Sequence, residues 1–303
     1  MQFTERLIKS RTGFRWLVLP FLLLLFIFWV YPLLQGIESS LSPDNPQEGQ
    51  EYSTFHNYEK MANQKNFKIA VSNTAKFIFY SVITIIPLSI YLAFVLMKMT
   101  KRLRYFSAFC LLIPSLIPPA IIGLLFNMTF NGRAGIINQI FIIPFGGKAI
   151  DWMNNPNYIL MAMVIQSVWR WTGFITLFLL CGLESVPKNV TEAAQLDGAG
   201  PIRRFFHIDL PAIRHLIFFC IAFLFIDSFS LFSGAYSLMG PSGGTANAGL
   251  IMINYAYQFT KFNQFNMAAT VCVSMLPLLM FIAGMFCIRW RSLFQWFGRE
   301  KAT

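Results

Sequence analysis

Arg170 and Asp227 are the side chains best placed to do chemistry, because each sits deep within a run of apolar residues. A charge at a bilayer centre is unfavourable by about 2.5–3.5 kcal/mol on insertion scales, so each demands a compensating group. Counted from the same side of the membrane, Arg170 lies about eleven residues into its run and Asp227 about fourteen, which at 1.5 Å per residue places them within roughly 5 Å in depth. They are expected to face one another or to share a hydrated cavity, either as an ion pair between packed helices or as contacts for a polar solute. Gln166, Trp169, Arg170 and Gly173 recur at helical spacing, as do Asp227, Ser230 and Gly234. Aromatic platforms beside hydrogen-bonding groups suit a sugar, whose C–H faces stack and whose hydroxyls bond. Such a stripe serves equally as a helix-packing seam. Asn254 and Tyr257, on a short apolar segment near 248–260 that is re-entrant or interfacial, extend this candidate substrate path. A third charge, Lys76, lies near the start of its run and can snorkel.

Bond-making chemistry finds no equipment here. There is no Gly-x-x-x-x-Gly-Lys-Ser/Thr phosphate loop, no His-Glu-x-x-His, no Gly-x-Ser-x-Gly and no carboxylate pair in a plausible pocket. Cys110, Cys181, Cys220, Cys272 and Cys287 lie in or at the ends of apolar segments without Cys-x-x-Cys spacing, and the three histidines are not at ligand spacing. The cysteines read as packing residues. No metal and no cofactor is expected in the chain itself, and the chain reads as no enzyme.

The elements that must position these residues are membrane helices. Of 303 residues 56% are hydrophobic and 12% charged, against about a quarter charged in soluble domains. The net charge of +11 does not point to nucleic acid, because the basic residues cluster beside apolar runs, where they set membrane orientation. Six segments reach the roughly 20 residues a spanning helix needs: about 16–36, 70–97, 105–127, 157–181, 213–236 and 266–288. The first has a basic start but an apolar run longer than a signal core and no small-x-small cleavage site, so it reads as a retained helix. Lys and Arg number sixteen in the amino end, the second-to-third link, the long polar loop and the tail, against six in the other connections. The positive-inside rule therefore puts both termini and the long loop in the cytoplasm. The polar residues 37–69, and 128–156 with Trp152 as an interface residue, then lie outside, as simple connections or as a docking surface.

The long loop carries its own signals. Pro187 can open a helix, Gly198 and Gly200 can end it, Pro201 can open a second, and Pro211 marks entry to the next span. Ala193, Ala194 and Leu196 keep the first helix slim enough for another protein surface to approach.

The same residues resemble the Glu-Ala-Ala loop of binding-protein-dependent ABC import permeases. Glu192, Ala193, Ala194, Gly198, Ile208, Leu210 and Pro211 fall on its pattern, and Asp197 with Ala199 gives the Asp-Gly-Ala form of sugar-type members. Asn73-Thr74, Pro114, Pro118, Gly135, Asn138, Trp169, Gly182-Leu183, Gly240, Pro241 and Thr245 resemble further positions of these permeases, over roughly residues 70–290. The chain departs at Met239, where the family has a glycine and where methionine resists φ > 0. Within the family it is similar to the first permease of the maltose and glycerol-phosphate importers.

That resemblance implies an all-α polytopic membrane protein of the type I importer permease class: six transmembrane helices with a cytoplasmic two-helix coupling loop. Residues 1–69 would form an N-terminal transmembrane helix plus polar external loop. Residues 70–303 would form a five-helix core with the coupling loop at 182–212. It further implies a multi-pass protein of a bacterial or archaeal plasma membrane that moves sugars, oligosaccharides or a related polyol phosphate. The implied partners are a second permease in a heterodimer, two cytoplasmic ATPases carrying ATP and Mg, and an external solute-binding protein. Glu192 would anchor the helix that docks on the ATPase. The alternative is a self-sufficient secondary carrier or channel for a small polar solute. The single long cytoplasmic loop with helix signals, and the lack of an internal repeat, argue against it.

Overall fold

The computed structural model describes residues 11–44, 53–196 and 198–300, and among them the regular structure is entirely helical. Lipid supplies no hydrogen-bond partners, so an apolar chain must satisfy its backbone within itself, which helices do segment by segment. Helix α1 (Arg11–Leu25) continues through a π-helical turn at Phe26–Val30 into α2 (Tyr31–Leu41). After the short α3 (His56–Asn63) come α4 (Lys65–Lys98), α5 (Lys101–Leu116), α6 (Pro119–Thr129) and α7 (Pro156–Glu184). The polar loop holds α8 (Lys188–Leu196), α9 (Pro201–Arg204) and α10 (Leu210–Ala212). Then follow α11 (Arg214–Phe229), α12 (Phe232–Met239), α13 (Met252–Lys261) and α14 (Phe265–Glu300).

Four stretches are long and apolar enough to cross a bilayer singly: Val18–Leu41, Lys65–Lys98, Pro156–Glu184 and Phe265–Met285. The total reaches six when each of two bent pairs counts as one crossing. The run expected at 105–127 is not one rod: α5 and α6 meet at 96°. Ile117 is extended (φ −76°, ψ 134°) ahead of Pro118-Pro119, as proline requires of its predecessor. The run expected at 213–236 also breaks. α11 stops at Phe229, Leu231 is non-helical (φ −74°, ψ 48°), and α12 starts at Phe232. Asp227, Ser230 and Gly234 therefore do not share one continuous helical face.

α7 is the central post, with half of its most apolar stretch buried inside the chain, whereas none of the corresponding stretch of Val18–Leu41 is. Small residues let neighbours close on it. A Cβ at Gly173 would stand 1.7 Å from the Leu111 carbonyl oxygen of α5. The same device brings α6 against α12, where a Cβ at Gly123 would meet Gly234 O at 2.6 Å.

The segments expected as outer loops are built structure. Asn57 Nδ2 donates to Ser40 O (3.1 Å) and Ser42 O (2.7 Å), and Asp44 accepts from the first amides of α14, Asn266 (2.7 Å) and Met267 (3.2 Å). In the 128–156 stretch, fully buried Asn138 donates to Gly132 O and Ile150 O and accepts from Ile150 N and Trp152 Nε1. Trp152 is thus no interfacial anchor. It is buried, with Phe130 and Tyr158 against its ring, because an indole needs both an apolar bed and an acceptor.

The segment after α12 docks on α4 across more than 170 residues of chain. Asn73 Nδ2 donates to Asn247 O and Leu250 O, and Thr74 Oγ1 accepts from Met252 N. Gly243 has φ +72° with Leu250 N 2.4 Å from where a Cβ would be, so only glycine fits there. Met239 needs no such freedom. It is the last residue of α12, the positive φ falls on Gly240, and its thioether fills the space beside Gly249.

Candidate functional site

The charged pair expected within the membrane is brought together, but through a third residue. Asp227 Oδ2 accepts the indole N–H of Trp171 at 2.7 Å, and the Arg170 guanidinium carbon lies 4.5 Å from the centroid of the same indole. Arg170 and Asp227 lie within electrostatic reach of one another but form no direct ion pair. Arg170 Nε is buried without a hydrogen-bond partner. Trp171 escaped the sequence reading, although a buried indole N–H beside an intramembrane arginine is a signal that an acceptor must be near. Asp227 and Ser230 line one cavity of about 430 Å³ with Phe219, Phe223 and Ile226.

The other expected path residues separate. Trp169 is half-exposed and packs on Phe126 of α6 at 5.5 Å. Gln166 is buried against Gly234, with Oε1 unpartnered. Asn254 is fully buried, and neither polar atom of its amide has a partner. Tyr257 joins a ring cluster with Phe232 (4.8 Å) and Tyr236 (5.5 Å), with the Lys261 ammonium 5.4 Å from its centroid. Gly173 is a packing position, since its face is filled by α5. The stripe on α7 therefore alternates packing positions with polar ones.

The polar loop folds as its prolines and glycines require. Val190 N–H bonds to Pro187 O, Gly198 adopts φ +75° to end α8, and Ala199 N–H closes on Ala194 O at 2.9 Å. Pro201 opens α9. The returning half is braced within itself and fastened to the core. Buried Asp209 pairs with Arg204 Nε at 3.1 Å, and buried Phe205 lies 4.5 Å from the Phe94 ring of α4. Ile208 is half-buried and Leu210 packs into the core cluster, so both belong to the base of the loop, while Pro211 is exposed. An Arg104–Glu184 ion pair, with Arg104 Nη2 also on Met97 O (3.1 Å) and Met99 O (3.3 Å), ties α4, α5 and α7 beside that base.

The outward part is different. Glu192 and Ala193 are exposed, whereas Ala194 is buried and faces inward. Val190, Leu196, Ile202 and Phe206 are 44%, 89%, 64% and 57% exposed, too much apolar surface for a finished water-facing loop. Asp197 lies outside the described residues. Glu192 is thus an acidic side chain amid exposed apolar groups on a firmly rooted knob.

The comparisons agree with this architecture. The chain is 28% identical over 265 residues to an arabinooligosaccharides transport system permease protein, AraP, of Bacillus subtilis, covering 87% of this chain and 84% of that one. It is 30% identical over 247 residues to a trehalose/maltose transport system permease protein, MalF, of Thermococcus litoralis, covering 79% and 81%. Its fold matches a chain of a bacterial ABC transporter involved in the import of the acidic polysaccharide alginate, with TM-score 0.76, 19% identity and coverage of 90% and 95%. The family described as binding-protein-dependent transport system inner membrane component matches residues 85–291. The chain belongs to that family, as a multi-pass inner-membrane permease component of an ABC importer.

Proposed function

We propose that this permease carries sugars or oligosaccharides and that its α8 knob transmits the closure of partner ATPases to the membrane helices. The observation that carries the reading is the contrast within the loop: a base locked by Asp209, Phe205 and Leu210, and a tip that leaves Glu192, Leu196 and Ile202 exposed. A knob rooted this way moves the helices it joins when something grips its tip. Two cytoplasmic ATPases would supply the grip and hold the ATP and Mg, since this chain has no phosphate loop. A second permease would complete the translocation path, and an external solute-binding protein would deliver the solute. Relatives named for arabinooligosaccharides, trehalose/maltose and lactose support a sugar-class cargo.

Both termini and the knob lie in the cytoplasm on this reading, in keeping with the distribution of basic residues. The Arg170–Trp171–Asp227 constellation, with Ser230 lining the same cavity as Asp227, is the candidate contact for sugar hydroxyls. Gln166 and Asn254 carry buried polar atoms that lack partners, and such atoms gain most from a solute or from another conformation.

Co-purification tests the coupling. The wild-type chain brings down an ATPase and Glu192→Lys releases it, with the permease still folded. Transport that persists when the ATPase is removed would instead favour a self-sufficient carrier. Impermeant labelling of a single cysteine at position 196 from outside intact cells would overturn the orientation.

A further inference from the structure

A second feature lies away from the loop, on the part of α7 that precedes the Trp171 constellation. α4 and α7 run in parallel register: Phe77 packs with Met163, and farther along Ser89 Oγ donates to Thr172 O at 3.1 Å. Between them a groove of about 790 Å³ extends from Asn73 to Thr84 on one wall and from Pro156 to Val168 on the other. The eleven or twelve helical steps between those ends span about 16–18 Å, close to half the roughly 30 Å hydrocarbon thickness of a bilayer. The groove is therefore about one leaflet deep.

Its polarity is graded along that length. At the end remote from the 182–212 loop stand Lys76, Asn73 and Asn157. Farther in, α7 contributes Leu160, Val164 and Val168, faced by Tyr80 and Thr84 of α4. Among the described residues, Lys76 is the only charged one of the lining, no carboxylate lines the groove, and Lys76 forms no ion pair. An uncompensated cation at the mouth of a slot one leaflet deep, with an apolar α7 wall below it, is complementary to one class of molecule.

We propose that this groove holds a single anionic phospholipid of the phosphatidylglycerol type. Its phosphate would sit against Lys76 and an acyl chain along Leu160, Val164 and Val168. A soluble sugar gains nothing from the apolar length, and a zwitterionic lipid gains less from the lysine.

The test uses the permease in its purified assembly, stripped of lipid in neutral detergent. Retention of phosphatidylglycerol and of phosphatidylcholine is read by native mass spectrometry and by thermal unfolding. Phosphatidylglycerol is retained in preference. Lys76→Gln cuts that preference about fivefold, Lys76→Arg preserves it, and Lys148→Gln, a cation outside the groove, leaves it unchanged. An unchanged preference in Lys76→Gln overturns the proposal, as does displacement of the lipid by equimolar glycerol phosphate or by an acidic oligosaccharide. Should Lys76→Gln fail to assemble, photoreactive phosphatidylglycerol on the wild type decides. Crosslinks within 73–84 or 156–168 support the site, and crosslinks confined elsewhere overturn it.

Discussion

Trp171 does for Asp227 what the sequence assigned to Arg170. A carboxylate in lipid needs a donor more than a distant charge, because a short hydrogen bond to an ionised group is worth about 1.5–3 kcal/mol. The indole gives its N–H to Asp227 and its face to the guanidinium, so one ring serves both charges. Trp171→Phe keeps the face and removes the donor, and is expected to lower stability by about 1.5–3 kcal/mol in thermal unfolding of the purified protein. Exchanging the charges, Arg170→Asp with Asp227→Arg, is expected to restore no transport relative to either single change, because the indole N–H would then point at a cation. Full rescue would show direct pairing. Arg170 and Asp227 were legible in the sequence as rare charges in apolar runs. Trp171 was not, because the atom that matters in it is defined by what stands opposite, on a helix 56 residues away.

At the scale of elements, the loop and α7 show two kinds of determination. The start and stop of α8 follow from Pro187 and Gly198, residues that act on the backbone locally. Gly198→Ala places a side chain at φ +75°. It is expected to destabilise the end of α8 by about 1 kcal/mol and to lower substrate-stimulated ATP hydrolysis of the assembly while solute binding persists. α7 was legible as a span, yet the role of each position on it was not. Gly173 shares spacing with Arg170 but meets the α5 backbone. Gly173→Leu is expected to force α5 and α7 apart and to cost about 1–3 kcal/mol or more in thermal unfolding. The same substitution on a lipid-facing position would be nearly neutral.

For the molecule as a whole, the N-terminal crossing is joined to the rest chiefly at one end. Asp44 caps α14 and Thr270 Oγ1 donates to Ser40 O, while the apolar length of Val18–Leu41 stays bare within this chain. Asp44→Ala removes two amide acceptors and is expected to cost about 1 kcal/mol. Faster hydrogen exchange at Asn266 and Met267 would report it, with the core of α7 unchanged. The residues that anchor this connection have the composition of a loop, because capping by a residue 222 positions away leaves no local pattern.

The sequence by itself determined that the chain is a polytopic membrane protein and that one polar loop carries short helices with the family's Glu-Ala-Ala spacing. Those properties arise from composition, run length and the fixed φ/ψ preferences of proline and glycine, all of which act over a few residues. The tertiary structure alone decided that α5 and α6 meet at 96°. It also decided that Asp227 answers to Trp171, that Trp152 is buried on Asn138, and that the chain after Gly240 is pinned to Asn73. Each of these depends on which groups meet when helices far apart in the chain pack together. Lipid offers no hydrogen bonds, so the partners that polar atoms such as Asp227, Asn138 and Asn73 do find come from that packing.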